Sequence, residues 1–255
     1  MRSAAVVLLG SMLLVLWPAA ARADGHSEFK DALQRLQGQT PVKARIAVQT
    51  WRKNGDGADA EEWSGQAAVN AEDGAAGLRM HYARDLLARL EIEREAQEKN
   101  PKARPATATA LGAIEYRDVQ NALGATPWLT RQLRRATFKS EAAEPWNGQA
   151  ARKLTFELAL GPLTERERKY IKKHEAALEV WIAADGTPLA SKLRESVSGR
   201  AFVVVSFESR NEDEWTYTVV GDRLVAARHE TRNISSGAGE RGESKTVLTV
   251  QVNPG

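Results

Sequence analysis

The chain is predicted to be an α+β protein built on an antiparallel sheet. Three observations carry that expectation. From Lys153 to Val252 apolar residues recur at every second position in one run after another, the period of half-buried strands. An earlier pair of alternating runs is joined by Asn54-Gly55 and Asp56-Gly57, a hairpin signature. Between these strand regions, residues 83–137 switch to a period near 3.6, which reads as a helical insertion.

Each element follows from local chemistry. In SEFKDALQRLQGQ, Phe29, Leu33 and Leu36 form one helical stripe, with Ser27 as the expected N-cap and Gly38 as the stop. After Pro41, Ile46 and Val48 alternate with Ala47 and Gln49, and GLRMHYA continues the strand pattern beyond the first hairpin. RDLLARLEIEREAQEKNP then groups Leu86, Leu87 and Leu90, and Pro101 and Pro105 close it. The stretch from Ala106 to Phe138 is again mainly helical, with Leu129 and Leu133 one turn apart and Pro127 near a helix start.

In the C-terminal half, Leu154, Phe156, Leu158 and Leu160 share one strand face. Leu178, Val180 and Ile182, then Trp215, Tyr217 and Val219, then Leu248, Val250 and Val252 mark further strands. A short basic helix is expected within GPLTERERKYIKKHE, opened by a capping box of Thr164 and Glu167 and carrying Arg166, Arg168, Lys169, Lys172 and Lys173. Asp185-Gly186 and Gly221-Asp222 fall between alternating runs, so both are expected to be type I′ hairpin turns without catalytic function.

The N-terminus reads as a cleaved secretory signal peptide of residues 1–23. Arg2 precedes an apolar run from Ala4 to Trp17, Pro18 breaks it, and Ala21-Arg22-Ala23 forms the expected site. A transmembrane helix needs roughly 20 apolar residues, more than this run supplies. Cleavage would lower Lys+Arg from 36 to 34 against 33 Asp+Glu. A nearly neutral exported chain offers no concentrated basic face for nucleic acid, and the Ala- and Arg-rich composition suits a bacterial periplasm.

The 255 residues contain no cysteine, which removes disulfides, thiolate zinc sites, thiol catalysis and an acylated lipoprotein cysteine. Residues 24–255 are long enough for a single domain stabilised by its core. No cofactor or metal is expected, since His26, His81, His174 and His229 are scattered. The chain also lacks G-x-S-x-G and H-E-x-x-H. His81 and Asp85 would meet only if a helix began early. GAGERG at Gly237–Gly242 matches a dinucleotide fingerprint in letters, but a strand-like run follows it, so it reads as a hairpin loop. NEDE at Asn211–Glu214 lacks the glycine and the terminal glutamate of a calcium loop and reads as a solvated turn. The sequon at Asn233 has no default meaning in a bacterial protein.

The order of an amphipathic helix, the strand VKARIAVQTW, a helical insertion, and then EVWIAADGTPLASKL through YTVVGDRLVAARHET resembles the periplasmic lipoprotein-carrier superfamily. That superfamily includes LolA, LolB and sensor domains of the MucB/RseB type. The resemblance implies an open, strongly curved antiparallel half-barrel whose helices cover the concave face and whose apolar cavity receives acyl chains. The expected ligand-binding face then carries Phe156, Leu158, Val180, Ile182, Trp215 and Tyr217 beneath helices of residues 83–137. Arg166, Arg168, Lys169, Lys172 and Lys173 become candidates for contact with a membrane surface or an acidic partner. The Glu/Arg-rich run from Glu91 to Lys99 and the basic helix after Pro162 depart from the resemblance and are not matched to features of the carriers. Three classes stay open: a non-enzymatic carrier of an acyl chain or lipoprotein, an envelope sensor or scaffold that binds a protein partner, and an enzyme, with the carrier as the favoured reading.

Overall fold

The computed structural model describes residues 24–161, 164–201 and 205–253, without the side chains of Ala58, Arg166, Glu167 and Ala201. The expected signal peptide lies outside the described residues. So do Pro162 and the side chains of Arg166 and Glu167, the latter half of the expected capping box.

One antiparallel sheet organises the chain. Its strands are β1 (Val42–Asn54), β2 (Glu61–Gly74), β3 (Gly77–His81), β4 (Ala136–Ala143), β5 (Arg152–Leu158), β6 (Ile171–Ile182), β7 (Pro188–Ala201), β8 (Val205–Val220), β9 (Arg223–Gly237) and β10 (Glu240–Val252). The order is β3-β2-β1-β10-β9-β8-β7-β6-β5-β4, so the sheet is curved and open, with β3 and β4 at its edges. Two meanders meet where β1 pairs with β10, from Ala44 opposite Val252 to Asn54 opposite Gly242.

The helices are α1 (Gly25–Arg35), α2 (Arg84–Lys99), α3 (Ala106–Leu111), α4 (Tyr116–Leu123), α5 (Thr126–Leu133) and α6 (Glu165–Tyr170). Topology explains why α3, α4 and α5 pack on β2, β9 and β4 respectively, with α2 against α3. The chain leaves β3 at one edge and must re-enter at β4, the other edge, so the insertion crosses the intervening face. Its final residues, Ala136 and Thr137, already belong to β4, which the periodicity missed.

Alternation along the strands sorts an inner, helix-covered face from an outer one. Val42, Ala44, Ile46 and Val48 are buried while Lys43, Arg45 and Gln49 are exposed. The inner residues form one core with Phe29 and Leu33 of α1, Val119 and Leu123 of α4, and Leu129 of α5. At Gly65 a side chain is excluded outright, because a Cβ there would stand 2.1 Å from the Ala106 carbonyl oxygen. Its absence lets α3 sit directly on β2.

Several local expectations are corrected. The cap of α1 is Asp24, whose carboxylate accepts from the His26 N–H at 3.1 Å, and Ser27 lies inside the first turn. The helix ends at Arg35 with Leu36 as its C-cap, before Gly38. Asp185 does not take positive φ. The Gly186 N–H donates to the Ala183 carbonyl at 3.1 Å and Gly186 alone has positive φ, +82°, a turn followed by a left-handed glycine rather than type I′. Gly221, at φ +59°, is likewise the only positive-φ residue of its two-residue loop, so a type II′ pattern replaces I′. The I′ pattern occurs at Ala238-Gly239 (φ +53° and +84°), inside the GAGERG hairpin.

Lys172 and Lys173 are not helical. The α6 helix stops at Tyr170, and Ile171 pairs with Gly199 to begin β6, because the long β7 strand offers a ladder that captures the end of the basic segment. Asn211–Glu214 is no turn either; it lies within β8, between the ladders of β7 and β9. His81 ends β3 while α2 begins at Arg84, and Asp85 pairs with Arg89 at 2.9 Å.

Candidate functional site

The six apolar candidates come together on the inner face. Phe156 and Leu158 come from β5, Val180 and Ile182 from β6, and Trp215 and Tyr217 from β8, and all six are buried. Register explains their union: Phe156 lies opposite Leu178, Val180 opposite both Leu154 and Ser191, and Ser191 opposite Trp215. Covering side chains come from Phe29, with its ring centroid 6.4 Å from that of Phe156, and from Trp128 of α5, 4.9 Å from Trp215.

Towards the β7–β8 end, the inner face becomes polar. Glu195 lies opposite Asn211, and Asn211 opposite Asn233. The boundary is marked by a cluster that sequence reasoning missed. His229 and Trp215 are cross-strand partners whose rings stack with centroids 3.6 Å apart. The His229 Nε2–H donates to the Asp213 carboxylate at 2.5 Å, with Thr231 Oγ1 3.1 Å from the same nitrogen. A carboxylate only accepts, so this bond places a proton on His229 Nε2. Below, Tyr217 Oη and Ser191 Oγ share a buried 2.6 Å hydrogen bond, and burial holds the phenol well above its ordinary range. The signal in the sequence was the alternation Asp213, Trp215, Tyr217 on one strand, but its meaning required the register with His229.

The outer face is different in kind. Lys153 contacts Glu144 at 2.5 Å and Glu179 at 3.6 Å, Arg194 bridges Glu179 at 2.7 Å and Glu212 at 3.9 Å, and Lys245 reaches Glu230 at 2.7 Å. Charges of opposite sign thus face one another across strands, a solvated surface that discourages edge-to-edge or apolar association.

Grooves lie at the margins of the apolar face. One of about 650 Å³ is lined by Leu158, His174, Ala176, Arg194, Glu195 and Asn211 among others. His174 Nε2 and Glu195 Oε1 are 2.8 Å apart there, and Arg135 also reaches Glu195 at 3.4 Å. A second, of about 430 Å³, is lined by Gln49, Trp51, Gln66, Ala106, Lys245 and Val247.

The basic candidates divide between elements. Arg168 and Lys169 lie on α6, Lys172 and Lys173 at the start of β6, and Lys173 pairs with Glu175 at 2.8 Å. Ser27 and Lys30, spaced as in a serine–lysine pair, are exposed on α1 with no hydrogen bond between them. Among the described residues no group of three His, Cys, Asp or Glu is placed to hold a metal ion, and no helix is long and apolar enough to cross a membrane. No family model matches this chain, and neither a curated protein nor a solved structure matches it.

Proposed function

We propose that this protein is an exported, periplasmic, non-enzymatic carrier that binds an acyl chain, free or on a lipoprotein, against the inner face of its sheet. The observation that carries the reading is the continuous apolar face of an open sheet, running through Phe156, Leu178, Val180 and Trp215, covered by short helices rather than by a second sheet. A sheet whose edges do not close leaves its cover free to part along one side. The covering helices α4 and α5 have eight residues each. Short helices derive most of their stability from packing, so their separation from the sheet is a local event rather than global unfolding. The space they fill with Leu123, Trp128 and Leu129 is the space an acyl chain would take.

Energetics favour this ligand class. Each buried methylene contributes about 0.8 kcal/mol, so a long chain can compensate for lost helix contacts without a charged anchor. The test is displacement of a fluorescent fatty acid from delipidated protein, with Val180→Trp as the blocking variant. Uptake by the wild type and its loss in a folded variant is the expected result.

A second reading, an envelope sensor or scaffold, is favoured by one observation. The edge strand β4 is exposed from Thr137 to Ala143, leaving backbone groups available for a partner strand. The exposed Leu87 and Ile92 of α2 would extend such a surface.

A further inference from the structure

Among the described residues, two buried side-chain polar atoms lack a hydrogen-bond partner: Trp215 Nε1 and His229 Nδ1. Both residues are more than nine-tenths buried, and an unpaired polar atom in such surroundings is costly. That they belong to one stacked pair, at the point where the inner face turns from apolar to polar, makes a common partner the economical explanation.

The chemistry of that partner follows from the two nitrogens. Trp215 Nε1 can only donate. His229 Nε2–H donates to Asp213 at 2.5 Å, so Nδ1 is the ring nitrogen left for an outside partner. The pair therefore presents one indole donor beside one imidazole nitrogen. The two unpaired nitrogens belong to rings stacked with centroids 3.6 Å apart, which makes one small polar group a candidate partner for both. A hydroxyl accepts from the indole N–H and suits Nδ1 in either state of the ring, donating to its lone pair or accepting from its N–H. Trp128 packs on Trp215 with ring centroids 4.9 Å apart, so parting of α5 from the sheet is the route by which a hydroxyl would reach the pair.

We infer that Trp215 and His229 form a polar anchor that selects an acyl-chain ligand bearing a free hydroxyl, a long-chain alcohol or acylglycerol in chemical class. This deepens, and rests on, the carrier reading proposed above. A water molecule held in the same place is the competing occupant.

The experiment compares dodecanol with dodecane as displacers of a fluorescent fatty acid from the full delipidated chain. In a wholly apolar site the alcohol binds more weakly than the alkane, because its hydroxyl loses water and gains nothing. The anchor predicts that the alcohol-to-alkane affinity ratio falls roughly tenfold in Trp215→Phe and in His229→Phe, the factor one or two hydrogen bonds supply. A ratio unmoved by either folded variant, with the alkane still bound, overturns the anchor and leaves the carrier intact. A folded wild type that binds neither compound overturns both. Should the variants fail to fold, the indole N–H resonance of Trp215 in the wild type decides. It moves downfield with dodecanol and not with dodecane if the anchor exists, and an unmoved resonance overturns it.

Discussion

The indole rings of Trp128 and Trp215 pack with centroids 4.9 Å apart at an interplanar angle of 38°. One ring is carried by α5 and the other by β8, so this contact joins the helical insertion to the middle of the sheet. Replacing Trp128 by alanine removes a large buried side chain, and loss of about 3–5 kcal/mol is expected in urea denaturation. In the carrier reading the same substitution enlarges the space beneath α5, so fatty-acid uptake should rise while stability falls. A loss of both would mark Trp128 as core alone.

The turn at Asp185 separates charge from backbone geometry. Asp185→Asn keeps the acceptor oxygen that receives the Thr187 N–H at 3.0 Å, so stability should change by less than about 1 kcal/mol. Gly186→Ala should cost more than about 1–2 kcal/mol, since φ is +82° and the added Cβ would stand 2.3 Å from the Glu28 carbonyl oxygen. Equal effects of the two substitutions, measured by thermal melting, would contradict the assignment.

Acid sensitivity should be shared among carboxylates held by hydrogen bonds. The Thr187 N–H and hydroxyl hold Asp185 below its ordinary value of 3.8, and Thr40 does the same for Asp222. For Glu230 burial acts upward, but hydrogen bonds from Lys245 and Arg228 bring it below its ordinary 4.5. A depressed folded-state value means that the stabilisation is fully present above the ordinary value and is lost as pH falls through the folded value. The urea midpoint should therefore be flat above the ordinary carboxylate range and fall below it. Combining Asp185→Asn, Asp222→Asn and Glu230→Gln should make that fall shallower; an unchanged slope would show that other groups carry it.

The basic segment of Arg168, Lys169, Lys172 and Lys173 is expected to draw the protein to anionic vesicles at low salt. The attraction should vanish near 1 M salt, where the screening length is about 3 Å. Cosedimentation with phosphatidylglycerol vesicles, compared with phosphatidylcholine, measures this. Absence of binding at low salt would leave these side chains as an ordinary solvated surface.

Much of this architecture was legible in the sequence because periodicity and turn chemistry are local. Ile46 and Val48, or Val180 and Ile182, announce a buried face wherever their strands pair. Where the reading failed, partners distant in sequence decided the outcome. Lys172 and Lys173 follow a helical segment but join the ladder of β7, and Asn211–Glu214 has turn-like composition yet pairs on both sides. The strand ATFKSEAA hid because an exposed edge lacks alternation. The Trp215–His229 anchor was invisible for the same reason: its members meet only through the β8–β9 register.

The central claim is that the inner sheet face receives an acyl chain, and native mass spectrometry of the protein purified from cell envelopes tests it most directly. The account predicts a species heavier than the protein by one lipid, which organic extraction releases and which is missing from a folded Val180→Trp variant. Bare protein alone from wild-type envelopes, with no lipid taken up when an envelope extract is added back, would contradict it.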